Sequence, residues 1–172
     1  MIFTLIGMPG SGKSCMGRSV SSKMKLSLID SDKMIEKRVG KRLQDIIDEQ
    51  GVDEFRRIEE EVLLSIESPD GKDAILSTGG SAVYSERGME HLKKLGKVIY
   101  LYCSPNTIID RIDNFEDRGI VLKPGQDLSD LYNERHPLYN KYADITISCD
   151  GKAYPKYQKA LIAAIQDVLN TK

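Results

Sequence analysis

The sequence predicts an α/β protein of three layers, in which helices cover both faces of a five-stranded, mostly parallel sheet. Short apolar runs alternate with segments of helical periodicity along the whole chain, which is typical of this architecture. The first apolar run leads directly into a glycine-rich loop that opens a helix. The length of 172 residues suits one compact core. We therefore expect a single domain over residues 1–172.

Five short apolar runs are the strand candidates, and eight segments between and after them have helical periodicity. The predicted strands are Ile2–Ile6, Leu26–Ile29, Ala74–Leu76, Lys97–Cys103 and Asp144–Ser148. The predicted helices are Lys13–Met24, Asp32–Val39, Leu43–Glu49, Asp53–Ser68, Glu86–Leu95, Pro105–Asn114, Leu128–Tyr142 and Tyr154–Asn170. Two polar stretches, 32–61 and 114–127, are predicted to leave the sheet after strand ends, where open α/β sheets bind ligands.

The loop after the first predicted strand carries the strongest signal for function. Residues 7–14, Gly-Met-Pro-Gly-Ser-Gly-Lys-Ser, fill every fixed position of the pattern G-x-x-x-x-G-K-[ST]. A strand, this loop and a helix in that order let backbone N–H groups and the positive helix end converge on a polyphosphate. Lys13 is expected to reach the β- and γ-phosphates, and the Ser14 hydroxyl to face Mg²⁺. The competing interpretation is an ordinary glycine-rich turn.

This pattern predicts that the protein binds a nucleoside triphosphate. The residues assigned to it are Gly10, Ser11, Gly12, Lys13, Ser14 and Cys15. A dinucleotide-binding fingerprint starting at Gly10 is excluded, because it requires glycine or alanine where Cys15 stands. A guanine-binding Asn-Lys-x-Asp motif is also excluded, since the stretch 140–144 holds one residue too many.

Composition restricts the class of partner. The chain carries 25 Lys and Arg against 26 Asp and Glu, a net charge of −1, so no overall field favours nucleic acid or an anionic membrane. The cysteines at 15, 103 and 149 are odd in number and widely spaced, which argues against a disulfide framework or a zinc site. No basic leader precedes the first strand, and no apolar run is long enough to span a bilayer. We expect a cytoplasmic protein.

Two carboxylates follow the second predicted strand. Asp30 and Asp32 are two residues apart at the strand's end, so they point the same way, toward the phosphate loop. One is expected to bind Mg²⁺, directly or through water, and the other to accept a proton from an attacking hydroxyl. The alternative is a helix N-cap, for which Asp and Ser are preferred residues.

Further along the chain, three features are compatible with binding of an anionic acceptor. Arg56 and Glu59 lie three residues apart on one predicted helical face and are able to hold each other in position. The paired glycines Gly79 and Gly80 follow the third strand and allow a ligand to approach the backbone closely, although a plain turn is the competing account. Arg135 suits planar, bidentate capture of a carboxylate or phosphate, although most arginines are simply solvated.

These motifs occur in an order and at spacings that resemble the shikimate kinases, small P-loop kinases of the nucleoside-monophosphate-kinase type. The similarity covers nearly the whole chain. The family's phosphate loop, D-x-D, F-R-x-x-E, G-G-G-A, lid arginine and R-x-P-x-Y all have counterparts. They are residues 7–14, Asp30 with Asp32, Phe55-Arg56 with Glu59, Gly79-Gly80-Ser81-Ala82, Arg118-Gly119-Ile120 and Arg135-His136-Pro137-Leu138-Tyr139.

The resemblance implies ATP-dependent phosphorylation of shikimate to shikimate 3-phosphate, with ATP and Mg²⁺ as cofactors, in a monomeric protein. It implies that stretch 32–61 is a substrate-binding subdomain and 114–127 a lid. The implied catalytic residues are Asp32 as base, Lys13 and the lid residue Arg118. Ser14 and Asp30 are implied to bind the metal ion. Arg111 and Pro155 are implied to contact the adenine, and Arg118 to contact the nucleotide as well. The implied acceptor-binding residues are Asp32, Arg56, Gly79, Gly80 and Arg135, with Glu59 steadying Arg56.

The sequence departs from the family pattern at two positions. Ser81 replaces the third glycine, which adds a side chain near the acceptor, and Gly119-Ile120 replaces the Pro-Leu that follows the lid arginine. Three functions therefore remain open: a shikimate kinase, a kinase of the same build acting on another small hydroxylated acid or sugar-like metabolite, and a nucleotide-binding switch without phosphotransfer.

Overall fold

The structure is a computed structural model that describes residues 1–112, 120 and 122–171. Strands and helices alternate along these residues. The strands are β1 (Ile2–Ile6), β2 (Ser27–Asp30), β3 (Ala74–Ser77), β4 (Gly96–Tyr102) and β5 (Ile145–Ser148). The α-helices are α1 (Lys13–Met24), α2 (Ser31–Val39), α3 (Leu43–Gln50), α4 (Val52–Leu64), α5 (Glu86–Leu95), α6 (Pro105–Arg111), α7 (Leu128–Tyr142) and α8 (Tyr154–Asn170), with short 3₁₀ turns at Pro69–Gly71 and Ala82–Tyr84.

The five strands form one sheet in the order β2-β3-β1-β4-β5, and every pairing is parallel. The central strand β1 pairs through Ile2 with Ala74 on one side and Gly96 on the other. The crossover β1-α1-β2 and the crossover β3-α5-β4 run in opposite directions, so right-handed connections place α1 and α5 on opposite faces. The predicted three-layer α/β fold is confirmed, and the sheet is wholly rather than mostly parallel.

The core lies between the sheet and its helices. All five residues of β1 and all four of β3 are buried, as expected for strands covered on both faces. Helices α2, α3 and α4 share a second, smaller apolar cluster around Ile35, Ile46 and Phe55. The stretch 32–61, which is predicted from the sequence to leave the sheet, thus has a separate apolar cluster formed by its own helices.

Helices α1, α5, α7 and α8 have the predicted bounds. Helix α4 ends at Leu64 rather than at the predicted Ser68. The Ser65 hydroxyl donates to the carbonyl of Val62 at 2.7 Å, and Pro69 begins a separate 3₁₀ turn soon afterwards. Helix α6 ends at Arg111, because Ile112 has extended dihedral angles.

Candidate functional site

Ten of the predicted site residues line one cavity at the carboxyl edge of the sheet, and Ser11, Asp30, Arg56 and Pro155 are not among its lining residues. The loops after β1, β2 and β3 surround a cavity of about 460 Å³, which we call the main cavity. Its lining comprises Pro9, Gly10, Gly12, Lys13, Ser14, Cys15, Arg18, Asp32, Leu43, Phe55, Thr78, Gly79, Gly80, Ser81, Arg111 and Arg135. Chain connections leave β1 and β3 in opposite directions here, which is where α/β sheets bind ligands.

The loop of residues 7–14 joins β1 to α1 with an open helix end. Gly12 stands immediately before α1 with φ +93°, a left-handed conformation that favours glycine. Within α1, which is described throughout, no side chain caps the first turn and no acidic residue lies in it. The N–H groups of that turn and the positive end of the helix dipole are therefore available to an anion.

Lys13 is buried at the base of this loop, with 7% of its surface exposed. Its Nζ donates to the carbonyl oxygens of Gly7 at 2.7 Å and Met8 at 2.9 Å. Burial lowers the pKa of Lys13 to about 8, although the charge of Asp32 opposes the shift. The ammonium group thus lies in the main cavity, held by the loop that it is predicted to serve.

The two aspartates after β2 have different environments. Asp30 caps α2, because its Oδ1 accepts from the N–H of Lys33 at 3.2 Å, so the N-cap alternative is correct for this residue. Asp32 lines the main cavity. Burial raises the pKa of Asp32 to about 6, with a further contribution from Asp30 and an opposing one from Lys13.

Gly79 lies against two carboxylates. A Cβ on Gly79 would stand 2.6 Å from Oδ1 of Asp32 and 3.1 Å from Oε1 of Glu59, so only glycine fits without displacing them. Glu59 is 2% exposed, and the Ser81 hydroxyl lies 2.9 and 2.8 Å from its two oxygens. Burial raises the pKa of Glu59 to about 7, while the hydrogen bond from Ser81 opposes that shift.

In the described residues no hydrogen bond or ion pair joins Arg56 to Glu59, although the charge of Arg56 opposes the rise in the pKa of Glu59. Among the residues that the structure describes, Glu59 receives its hydrogen bonds from Ser81, and Arg56 lies over an aromatic ring instead. Glu59 is buried beneath the glycine turn, so its geometry favours the nearby hydroxyl. The spacing of three residues on a helix did not reveal this, because it says nothing about what packs across from α4.

Arg135 and Arg56 meet at Tyr84, a residue that the sequence analysis missed. Arg135 lines the main cavity and is 3% exposed. Its Nε donates to the Tyr84 hydroxyl at 3.3 Å, and its guanidinium carbon lies 5.3 Å from the centre of the Tyr84 ring. The guanidinium carbon of Arg56 lies 4.2 Å from the same ring centre. No motif marks Tyr84, whose spacing is equally compatible with a core position.

A second cavity, of about 390 Å³, lies beside the first and shares Gly10, Gly12, Cys15 and Arg111 with it. Arg111 is fixed at its wall, because Nη2 donates to the carbonyls of Cys149 at 2.6 Å and Gly151 at 2.8 Å. Arg111 therefore lies at the wall of the second cavity, a position compatible with the adenine contact that is predicted for it.

The opposite wall of this second cavity comes from the start of α8. Tyr154 lines it, whereas the predicted residue Pro155 is exposed in the same helical turn. The Tyr154 hydroxyl donates to the carbonyl of Cys15 at 3.3 Å, which ties α8 to α1. Tyr154 and Tyr157 are therefore the α8 residues that line the second cavity, whereas Pro155 is not among its lining residues.

Half of the predicted lid, residues 114–119 and 121, lies outside the described residues. Arg118 and Gly119 are among those not described, so the predicted lid arginine is not placed here. Of the remaining predicted site residues, Ser11 is buried in the phosphate loop, and the Ser14 hydroxyl lies 3.5 Å from that of Ser77. In the described part of the chain, no helix is long and apolar enough to cross a membrane.

The structure defines a P-loop kinase fold. Its sheet is parallel, a phosphate loop follows the central strand, acidic residues follow β2, and the buried Arg135 lines the same cavity. Comparison with known proteins agrees. Residues 9–167 match the family model described as shikimate kinase. The chain therefore belongs to the shikimate kinase family, as its motifs predict.

Individual relatives show how far the likeness extends. The chain is 32% identical to a shikimate kinase of Sulfurihydrogenibium sp. (94% of this chain, 96% of the relative) and 36% identical to one of Paracidovorax citrulli (95% and 87%). Among solved structures, the shikimate kinase from Acinetobacter baumannii in complex with shikimate matches with a TM-score of 0.82 at 31% identity, over 96% of this chain and 93% of that one.

Proposed function

We propose that the protein transfers the γ-phosphoryl group of ATP to a hydroxyl of shikimate, giving shikimate 3-phosphate. The observation that carries the proposal is a single cavity in which the phosphate loop, the carboxylate of Asp32 and the buried guanidinium of Arg135 face one another. The family to which the chain belongs, and the shikimate complex of the A. baumannii relative, support this acceptor.

The nucleotide is expected to extend over both cavities. Its phosphates would lie on the loop of residues 10–15, where the start of α1 offers N–H groups and Lys13 offers a positive charge. The adenosine end would enter the second cavity, between Arg111 and the first turn of α8, which carries Tyr154 and Pro155. The lid residue Arg118 is proposed to meet phosphoryl oxygens and the nucleotide.

The acceptor is expected to lie between Asp32 and Arg135. Within the described residues, neither Arg56 nor Arg135 forms an ion pair with a carboxylate of the protein. A nearly buried guanidinium that lacks such a partner favours a carboxylate from a ligand, which is able to bind in bidentate geometry. Gly79 and Gly80 leave room for the ring of the acceptor, since any side chain there would meet Asp32 or Arg135.

Asp32 is proposed as the general base. Its carboxylate accepts the proton of the acceptor hydroxyl while that oxygen bonds to the γ-phosphorus and the bond to the β–γ bridging oxygen breaks. Its pKa of about 6 leaves it ionised at neutral pH yet closer to the working pH than an ordinary aspartate. Lys13 supplies fixed positive charge beside the phosphates.

The oxygen donors of the site fit a magnesium ion. Hydroxyl and carboxylate oxygens are the protein ligands that Mg²⁺ uses, usually one or two of them together with phosphates and water. Ser14 borders the main cavity, and Asp30 keeps one carboxylate oxygen outside its helix-capping bond. Ser14 and Asp30 would hold the ion, which neutralises phosphate charge when bound.

The remaining assignments follow from the same proposal. Stretch 32–61, with its separate apolar cluster, would be the substrate-binding subdomain, and stretch 114–127 the lid that excludes water. The whole of 1–172 would be one domain. We propose a cytoplasmic monomer that acts on small molecules and needs neither nucleic acid nor a membrane, consistent with its near-zero net charge.

The test is acceptor-dependent consumption of ATP. ADP release is measured with ATP and Mg²⁺, first alone, then with shikimate, and then with other hydroxy acids and polyols. Phosphorus NMR of the product locates the new phosphate ester. Release that requires shikimate and yields the 3-phosphate is expected. Release that requires a different acceptor would replace shikimate, and nucleotide binding without any acceptor dependence would contradict phosphotransfer.

A further inference from the structure

Tyr84 lies close to both Arg56 and Arg135, and no sequence motif accounts for a tyrosine at this position. It ends the 3₁₀ turn at Ala82–Tyr84, immediately after the glycine turn of the acceptor site. Its ring lies under the guanidinium of Arg56 at 4.2 Å and near that of Arg135 at 5.3 Å, and its hydroxyl accepts from Arg135 Nε at 3.3 Å. One neutral side chain thus contacts both cations.

The electrostatics of this cluster need explanation, because like charges repel where water is scarce. Arg135 is 3% exposed, and within the described part of the chain neither arginine forms an ion pair with a carboxylate, although Glu59 lies near enough for both positive charges to oppose the rise in its pKa. A carboxylate at position 84 would hold the two cations but would also neutralise them. An aromatic ring attracts guanidinium groups by its quadrupole and leaves their N–H donors free for a ligand.

The Tyr84 hydroxyl is itself fixed from α7. It donates to Oε1 of Glu134 at 2.8 Å, which leaves its lone pairs to accept from Arg135. The bond from Tyr84 lowers the pKa of Glu134, so the acceptor of this hydrogen bond remains ionised. Glu134 also accepts from Gln126 Nε2 at 2.9 Å and from Lys123 Nζ at 3.3 Å, both in the segment before α7. The ring therefore has a defined orientation.

We propose that Tyr84 is a positioning residue of the acceptor site, which holds Arg56 and Arg135 together without adding a negative charge of its own, so that both guanidiniums are able to bind the acceptor's carboxylate. This inference rests on the proposed function, because it takes the acceptor to be a carboxylic acid. It assigns to Tyr84 no contact with the acceptor and no part in binding ATP. Its effect passes through the arginines alone.

The test is a pair of substitutions with steady-state kinetics on both substrates. Tyr84→Leu removes the ring, and we expect the KM for shikimate to rise about tenfold, with kcat and the KM for ATP changed by less than about twofold. Tyr84→Phe keeps the ring, and its KM for shikimate should stay within about threefold of the wild-type value. Tyr102→Leu is the matched control, because Tyr102 is also half-buried but its ring contacts Tyr100 and His136 rather than an arginine.

A double-mutant cycle shows whether Tyr84 acts through the clamp. In an Arg56→Ala background, Tyr84→Leu should raise the KM for shikimate by a smaller factor than it does in the wild type. A purely structural role would instead give equal factors in both backgrounds. If Tyr84→Leu is not folded by circular dichroism, Tyr84→Gln replaces it, since glutamine removes the ring and keeps a polar group.

The outcomes are separable. A wild-type enzyme that consumes shikimate while the ring-deleted variant keeps a normal KM would overturn the role of Tyr84 alone. Equal losses with Tyr84→Leu and Tyr84→Phe would also overturn it, because the ring would then have no special part. A wild-type enzyme that binds ATP but never requires an acidic acceptor would overturn the proposed function and this inference with it.

Discussion

The Ser81 hydroxyl donates to the carboxylate of Glu59, a group that is almost wholly buried beneath the glycine turn. Ser81 stands where the family pattern has a third glycine, so its hydroxyl supplies a donor that glycine lacks. A carboxylate buried without a donor is costly. The serine therefore stabilises a charge next to Asp32 in the acceptor site.

Ser81→Ala should destabilise the protein more at pH 8 than at pH 5. The pKa of Glu59 is raised from 4.5 to about 7, so the folded protein holds a proton at pH 5 that the unfolded chain has largely lost. Stability therefore falls as pH rises from about 4.5 to 7, and at pH 8 the ionised group depends on Ser81. We expect a loss of about 1–3 kcal/mol at pH 8 from urea unfolding. In Glu59→Gln, the same serine substitution should show no such pH dependence.

Asp32→Asn should reduce kcat by a factor of about 10² to 10⁴, because the amide cannot accept the proton of the acceptor hydroxyl. The dissociation constant of ATP should change by less than about threefold, since the side chain keeps its shape. Stopped-flow turnover and calorimetry measure the two quantities. Asp53→Asn, at an exposed position in α4, is the control. Near-normal turnover in Asp32→Asn would remove Asp32 from the role of base.

The pH profile of kcat/KM should be bell-shaped with limbs near about 6 and 8. The rate falls below the pKa of about 6 because Asp32 becomes protonated and no longer accepts a proton. It falls above the pKa of about 8 because Lys13 loses its charge. Glu59→Gln should keep the acid limb, which separates Asp32 from its neighbour. An acid limb near pH 4 would show that burial does not perturb the base.

Gly79→Ala should nearly abolish acceptor use while leaving ATP binding intact. The new Cβ would stand 2.6 Å from Oδ1 of Asp32, so either the turn or the carboxylate must move. A displacement of that kind at the reacting group costs about 10²-fold in kcat/KM for the acceptor. Gly17→Ala in α1 is the control, because its Cβ would meet side chains of the sheet only at ordinary contact distances of 3.4 Å or more. Equal effects of the two substitutions would point to folding rather than to the site.

The sequence predicts those parts of the site whose position depends on residues that are close together along the chain. The conformation of the loop of residues 7–14 could be predicted, because the glycines, Lys13 and Ser14 are contiguous with a strand and a helix. Asp32 could be predicted for the same reason, as it directly follows β2. Local spacing was sufficient at these positions.

Contacts between distant segments were less accessible to sequence reasoning. The spacing within α4 predicts that Glu59 interacts with Arg56, but the hydrogen bonds to Glu59 come from Ser81, 22 residues further along the chain. Tyr84 escaped notice because its significance arises only when α4 and α7 bring their arginines to it. Tertiary packing decides such partners, and periodicity within one element does not report it.

The position of β1 has a consequence for how the chain folds. Its five buried residues pair with β3 and β4, the strands that begin at Ala74 and Gly96, and with no strand close in sequence. The nucleus of the sheet must therefore close long loops before its hydrophobic contacts form, which slows folding relative to topologies rich in local contacts. On a ribosome, β1 and the loop of residues 7–14 would be made well before the strands that support them, so they would acquire their native neighbours only after the middle of the chain has emerged.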